Sequence, residues 1–208
     1  MTWTTVDELD AVTLPDGFVW RPIRRRFGIK AFGVNAYTAK EAGGRIIEEH
    51  TEQALGHQEI YLVLRGRARF TIDGTEHELG PGQMVFLRDP GLRRGAVALD
   101  DYTVVIALGG KPGSPHVVSP WEAMFAAAPA VERGDWDEAV KIHQEALAEF
   151  PKNAALLYNL ACIESLAGRS LDSLLHLERA VELDPKLARR AQADPDFDAL
   201  RSEPAFPA

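Results

Sequence analysis

Between Gly109 and Pro115 the run Gly-Gly-Lys-Pro-Gly-Ser-Pro interrupts the chain, and the hydrophobic period differs on its two sides. Before it, short apolar runs alternate with turn residues, and no helical period is sustained before Trp121. Strands are predicted at 19–26, 30–37, 45–49, 58–64, 68–72, 75–79, 84–87, 95–99 and 103–108. Asp73-Gly74 supplies a two-residue hairpin turn, since both positions tolerate positive φ. So many short strands imply a closed barrel or sandwich. After Trp121, Gly134 and Gly168, Ala146 and Ala180, and Pro151 and Pro185 each recur at a spacing of 34 residues. That period belongs to stacked helical hairpins. The expected class is therefore α+β in two domains, all-β over 1–116 and all-α over 117–208. The repeats fall near 120–153 and 154–187, with a capping helix after them.

Charge divides at the same place. Residues 1–118 carry 14 Lys and Arg against 15 Asp and Glu, whereas 119–208 carry 9 against 16. An acidic chain without concentrated Lys and Arg is a poor binder of phosphate backbones, so nucleic acid is not an expected partner. The one basic cluster, Arg24-Arg25-Arg26, falls on the first predicted strand and is read as a solvated edge. No apolar run is long enough to span a bilayer, and the first ten residues lack the basic-then-apolar order of a secretory leader. A single cysteine, Cys162, precludes an intrachain disulfide. A cytoplasmic protein is the expectation.

Chemistry concentrates in the fifties. His50, Glu52, His57 and Glu59 bring imidazoles and carboxylates into a strand pattern, and Glu59, Tyr61 and Val63 share one strand face. Such a set suits Zn, Fe, Mn or Ni, with coordination positions left for substrate. The alternative is structural: Glu59 paired with Arg93 or another inward arginine, and the histidines bonded to backbone. Among the rest, His77 can face either side, His116 lies in the linker, and His143 and His176 read as surface or packing residues. Cys162 reads as a small core residue. No phosphate loop or nucleophile motif is present.

The spacing Gly44-x5-His50-x-Glu52-x6-Glu59-x6-Gly66 resembles the first motif of the cupin family, and 82–93 resembles the second. The resemblance implies a double-stranded β-helix barrel with a divalent metal held by His and Glu. This chain departs from it: Glu52 stands at the second His, Arg88 at the Pro and Arg93 at the last His. His57 is the candidate replacement ligand. Arginine cannot ligate a cation, so the usual four-ligand site is not available. The helical half resembles the tetratricopeptide repeat, whose pattern would place Trp121, Met124, Val131, Tyr158, Cys162 and Leu166 on a concave, peptide-holding face or use them for internal packing. The whole resembles small proteins with a cupin followed by a tetratricopeptide segment, which implies architecture more than activity. Cupin barrels often pair, so a homodimer is a further implication.

Three readings follow. The first is a barrel binding a small anionic ligand through Arg93, Tyr61 and Glu59, coupled to a protein-interaction module. The second is a metal-dependent oxygenase, isomerase or lyase using His50, Glu52, His57 and Glu59. The third is a non-catalytic adaptor engaging a protein through Trp121, Met124, Tyr158 and Leu166.

Overall fold

The computed structural model describes residues 4–14, 16–114, 116 and 120–207. Its chain forms two compact units, Met1–Val117 and Val118–Ala208. In the first, β1 (Val12–Thr13), β2 (Phe18–Arg21), β3 (Gly33–Ala39), β4 (Arg45–His50), β5 (Gln58–Arg65), β6 (Ala68–Ile72), β7 (Thr75–Leu79), β8 (Met84–Leu87), β9 (Arg94–Ala98) and β10 (Thr103–Gly110) make two sheets. Their orders are β1-β2-β3-β10-β5-β8 and β4-β9-β6-β7, and every pairing is antiparallel.

Alternation explains the core. On β5 Tyr61 and Val63 turn inward and meet Phe70 of β6, with ring centroids of Tyr61 and Phe70 5.5 Å apart. Ile46, Ala96, Ala98 and Val105 close the same cluster, and full burial of each large side chain is worth about 1.5–3 kcal/mol. The β6–β7 hairpin turns at Asp73 and Gly74, with φ of 47° and 81°, which matches the mirror-image turn that strand twist favours.

The strand predicted at 19–26 ends at Arg21, as β2. Pro22 has no N–H to continue a ladder, and its fixed φ suits a helix start. The residues after it form α1 (Ile23–Phe27), closed by Gly28 at φ 62°. Arg24, Arg25 and Arg26 thus lie on a helix, not a strand edge, and Arg24 is buried, its Nη1 donating to the Ile29 carbonyl. The following strand begins at Gly33 rather than Lys30.

In the second unit, α2 (Pro120–Glu132) and α3 (Trp136–Glu149) form one hairpin, α4 (Ala154–Leu166) and α5 (Ser170–Leu183) the next, and α6 (Lys186–Ala193) follows. Gly134 and Gly168, φ 69° and 73°, make the two intra-hairpin turns, which is why glycine recurs there. Ala139 and Ser173, also one period apart, are both fully buried. Ser173 keeps its place by donating its hydroxyl to the Ala161 carbonyl at 2.7 Å. Asp135 caps α3, and Asn153 caps α4 through the Ala155 and Leu156 amides. Beyond α6 the tail folds back: Phe197 meets Tyr158 edge-on at 5.6 Å, Phe206 meets Phe197 at 5.8 Å, and Tyr158 donates to Asp194 at 2.8 Å. None of the helices described is long and apolar enough to cross a membrane.

Candidate functional site

His50 ends β4, Glu59 opens β5, and Glu52 sits in the turn between them, so three potential ligands come from one strand–loop–strand segment. One donor atom from each of His50, Glu52 and Glu59 lies within 4.8 Å of the others. His50 Nε2 stands 3.6 Å from Glu52 Oε1 and 3.7 Å from Glu59 Oε2. Two donors each about 2.1 Å from one ion are about 3.0–3.6 Å apart at the usual bond angles, so small shifts would let all three reach a common cation. The Glu52 loop is anchored by its own amide, which donates to the Pro90 carbonyl at 2.9 Å.

Glu59 is the hub. Tyr61 donates its hydroxyl to Glu59 Oε2 at 2.6 Å, and Arg94 Nε lies 3.5 Å from that oxygen, near enough for charge pairing but too long for a hydrogen bond. Burial alone would raise the Glu59 carboxyl, but the neighbouring His50 and the hydrogen bond from Tyr61 outweigh it and hold its pKa below the usual range. Burial likewise pulls His50 down, while its contacts with Glu59, the Glu48 carbonyl and Glu52 leave it above an ordinary histidine. Tyr61 is pushed well up, by burial first and then by the Glu59 charge. It stays a donor.

Two predicted placements are corrected. Arg93 is an outward residue: its side chain is 64% exposed and bonds Glu49 at 2.9 Å. The interior guanidinium belongs to Arg94, with no exposed side-chain surface, opposite His50 on the neighbouring strand. A shift of one residue reverses the face. The signal was in the sequence, since Arg94, Ala96 and Ala98 share a parity and both alanines are buried. Arg93 therefore cannot act as the interior anion donor.

His57 does not join the cluster either. Its Nδ1 is 3.1 Å from Glu52 Oε2, without hydrogen-bond alignment, so it backs the carboxylate rather than adding a ligand to the group. Its other face stacks on His116, centroids 5.3 Å apart. The sequence places His116 in the linker, and spacing gives no hint of this contact. Burial and the neighbouring His57 and Arg24 lower its pKa to about 4, which keeps it neutral. Gly33 makes room for the ring, because a Cβ there would stand 2.8 Å from His116 Cε1. Tyr61, predicted as a ligand contact, is buried and donates its hydroxyl to Glu59. Arg88 lies over the Phe86 ring, and His77 is exposed.

In the helical unit the predicted groove is not one open surface. Met124 and Leu166 are exposed and Trp121 packs on Phe125, but Tyr158 is covered by the tail and by Arg190 over its ring. Cys162 is buried beside Asp194 and Asp196, and burial followed by those charges drives its thiol above the usual range. His143 is fully buried, and His176 bonds the buried Glu164 at 2.7 Å.

Residues 36–104 match the family described as the AraC-like ligand binding domain, and residues 130–202 match the tetratricopeptide repeat. No curated protein matches significantly. Among solved structures, a sugar phosphate isomerase from a cupin superfamily of Silicibacter pomeroyi is 17% identical, over 55% of this chain and 78% of its own, with a TM-score of 0.45. KdgF from Halomonas sp. is 20% identical over 52% and 92%, TM-score 0.41. A cupin protein from Bacteroides fragilis is 22% identical over 54% and 86%, TM-score 0.42. The two family matches, each over part of the chain, fit the architecture seen here, a cupin-type two-sheet barrel followed by tetratricopeptide-like helical hairpins.

Proposed function

We propose that the barrel is a binding module which takes a divalent cation through His50, Glu52 and Glu59 and, at the cation's open positions, a small oxyanion-bearing ligand, while the helical segment engages protein. One observation carries this reading: three donor atoms of suitable chemistry lie within 4.8 Å of one another. A cation there would supply Lewis acidity and fixed positive charge. The chain's own residues set the rest. Tyr61 fixes Glu59, His57 backs Glu52, and Arg94 offsets part of the carboxylate charge.

A metal-free reading is favoured by a different observation. With His50 protonated, its charge and that of Arg94 balance Glu52 and Glu59 without an ion, and the raised pKa of His50 favours that state. Metal analysis of protein purified after growth with Zn, Fe, Mn and Ni, followed by titration calorimetry with Mn2+ and Zn2+, separates the two. The cation reading expects near-stoichiometric uptake that disappears in His50→Ala and Glu59→Gln. No uptake by folded wild type would leave the metal-free module.

A further inference from the structure

We propose that His116 is a built-in stand-in for a flat, nitrogen-bearing heteroaromatic ligand, whose seat is bounded by the His57 ring and the Gly33 backbone and from which such a ligand expels the linker. The inference deepens the reading of the barrel as a binding module, since it names a ring for the ligand, and it does not require the cation.

Two paired glycines make the seat. Gly109 of β10 lies between Gly33 of β3 and Glu59 of β5 in the ladder, and directly paired residues share a face, so one carboxylate stands beside two positions without a side chain. A Cβ on Gly109 would stand 3.0 Å from Glu59 Cγ, and one on Gly33 would stand 2.8 Å from His116 Cε1 and 3.2 Å from its Nε2. Glycine inside a strand marks a place where another group comes close to the backbone. Here that group is an imidazole from the linker. β10 ends at Gly110, the Ser114 amide donates to the Lys111 carbonyl at 3.3 Å in a turn with Gly113 at φ 70°, and the chain returns to lay His116 over Gly33. The His57 ring stacks on it, with centroids 5.3 Å apart and planes 30° from parallel.

The linker ring fits this seat by shape and not by hydrogen bonding. His57 and His116 are 5% and 9% exposed, and among the described residues no hydrogen-bond partner meets His57 Nε2 or either ring nitrogen of His116. A buried polar atom without a partner costs more than one ring stack returns, so His116 gains by leaving for water, where both nitrogens are satisfied. A free ring of the same kind keeps the stack on His57 and can turn its own nitrogen to His57 Nε2, which His116, restrained by its backbone, leaves unbonded. Burial and the nearby His57 and Arg24 hold His116 neutral, with a pKa of about 4, so the ring suited to this seat is an uncharged one.

Imidazole is the probe, titrated at about pH 8, where it is neutral, into the full chain freed of metal with EDTA, so that the outcome is independent of the cation reading. NMR follows the ring signals of His57 and His116. In wild type, saturating imidazole should shift the His57 signals and bring those of His116 to the positions of a histidine in water. His116→Ala should bind imidazole about tenfold more tightly, because its seat is open in every molecule and not only in those whose linker is out. Gly33→Ala/His116→Ala, with a methyl placed in the seat, should lose that gain, and cyclopentanol, similar in size but not flat, should not bind. Circular dichroism checks the fold of each variant, and the wild-type titration decides the matter even where His116→Ala does not fold. His116 signals that stay in place in wild type, a folded His116→Ala with no gain in affinity, a double variant that binds as well as the single one, or equal binding of cyclopentanol would each overturn the proposal.

Discussion

At the scale of single residues, Arg93 and Arg94 are adjacent in sequence and opposite in consequence. Arg94 is fully buried against Glu59, so Arg94→Met strands a carboxylate in the interior and should destabilise the barrel by about 3–5 kcal/mol in urea unfolding. Arg93→Met breaks only an exposed pair with Glu49 and should change stability by about 0–1 kcal/mol. Equal effects would mean the guanidinium inside is not Arg94. His50 carries a second expectation. Its raised pKa means the folded state holds its proton more tightly than the unfolded one. That stabilisation is full below about pH 6.5 and is lost as pH rises through the raised value. By NMR titration its pKa should stand above an ordinary histidine and fall in Glu59→Gln. Glu52 and Glu59 were legible as a cluster because spacing alone sets loop and strand positions. The inward arginine was misplaced because face depends on strand register, and β9 begins one residue earlier than its apolar run.

At the scale of elements, β3 and the linker meet through one glycine and one imidazole. Gly33→Ala would place a methyl 2.8 Å from His116, so it should destabilise the barrel, while Gly33→Ala/His116→Ala recovers much of the loss. Independent losses that simply add would remove the steric link. His116 also leaves a pH signature opposite to that of His50. Its folded-state pKa of about 4 lies below the unfolded value, so its contribution to stability is full above about pH 6.5 and declines as pH falls toward 4. In His116→Gln that part of the acid sensitivity should vanish from urea unfolding curves taken across pH 4 to 7. The helical hairpins were readable from the 34-residue recurrence because buried small residues and left-handed glycines must repeat with the unit. The short helix of Arg24, Arg25 and Arg26 was not, since an arginine run carries no period and only Pro22 and Gly28 mark its ends.

For the whole molecule, two units with separate hydrophobic clusters imply two partly independent stabilities. Phe197 is fully buried against Tyr158, so Phe197→Ala should lower the unfolding transition of the helical unit by about 3–5 kcal/mol and leave that of the barrel in place. Calorimetry with tryptophan fluorescence can follow both, and a shared shift would show that the units melt as one. The order of barrel and repeat was legible because a change of hydrophobic period needs no side-chain detail. Internal packing of the repeat's apolar residues was an alternative open in the sequence, but which residues of 195–206 supply it was not legible, because nothing there announces a helical period.

That filling has a consequence for recognition. The tail delivers Phe197 and Asp194 to Tyr158 as a tethered guest, with Phe206 packed on Phe197, and a tether of this kind acts like a free peptide at about millimolar concentration. An outside peptide seeking the same seat must outcompete an occupant that never diffuses away, so only a tight binder, or an event that first peels back the C-terminus, could take its place.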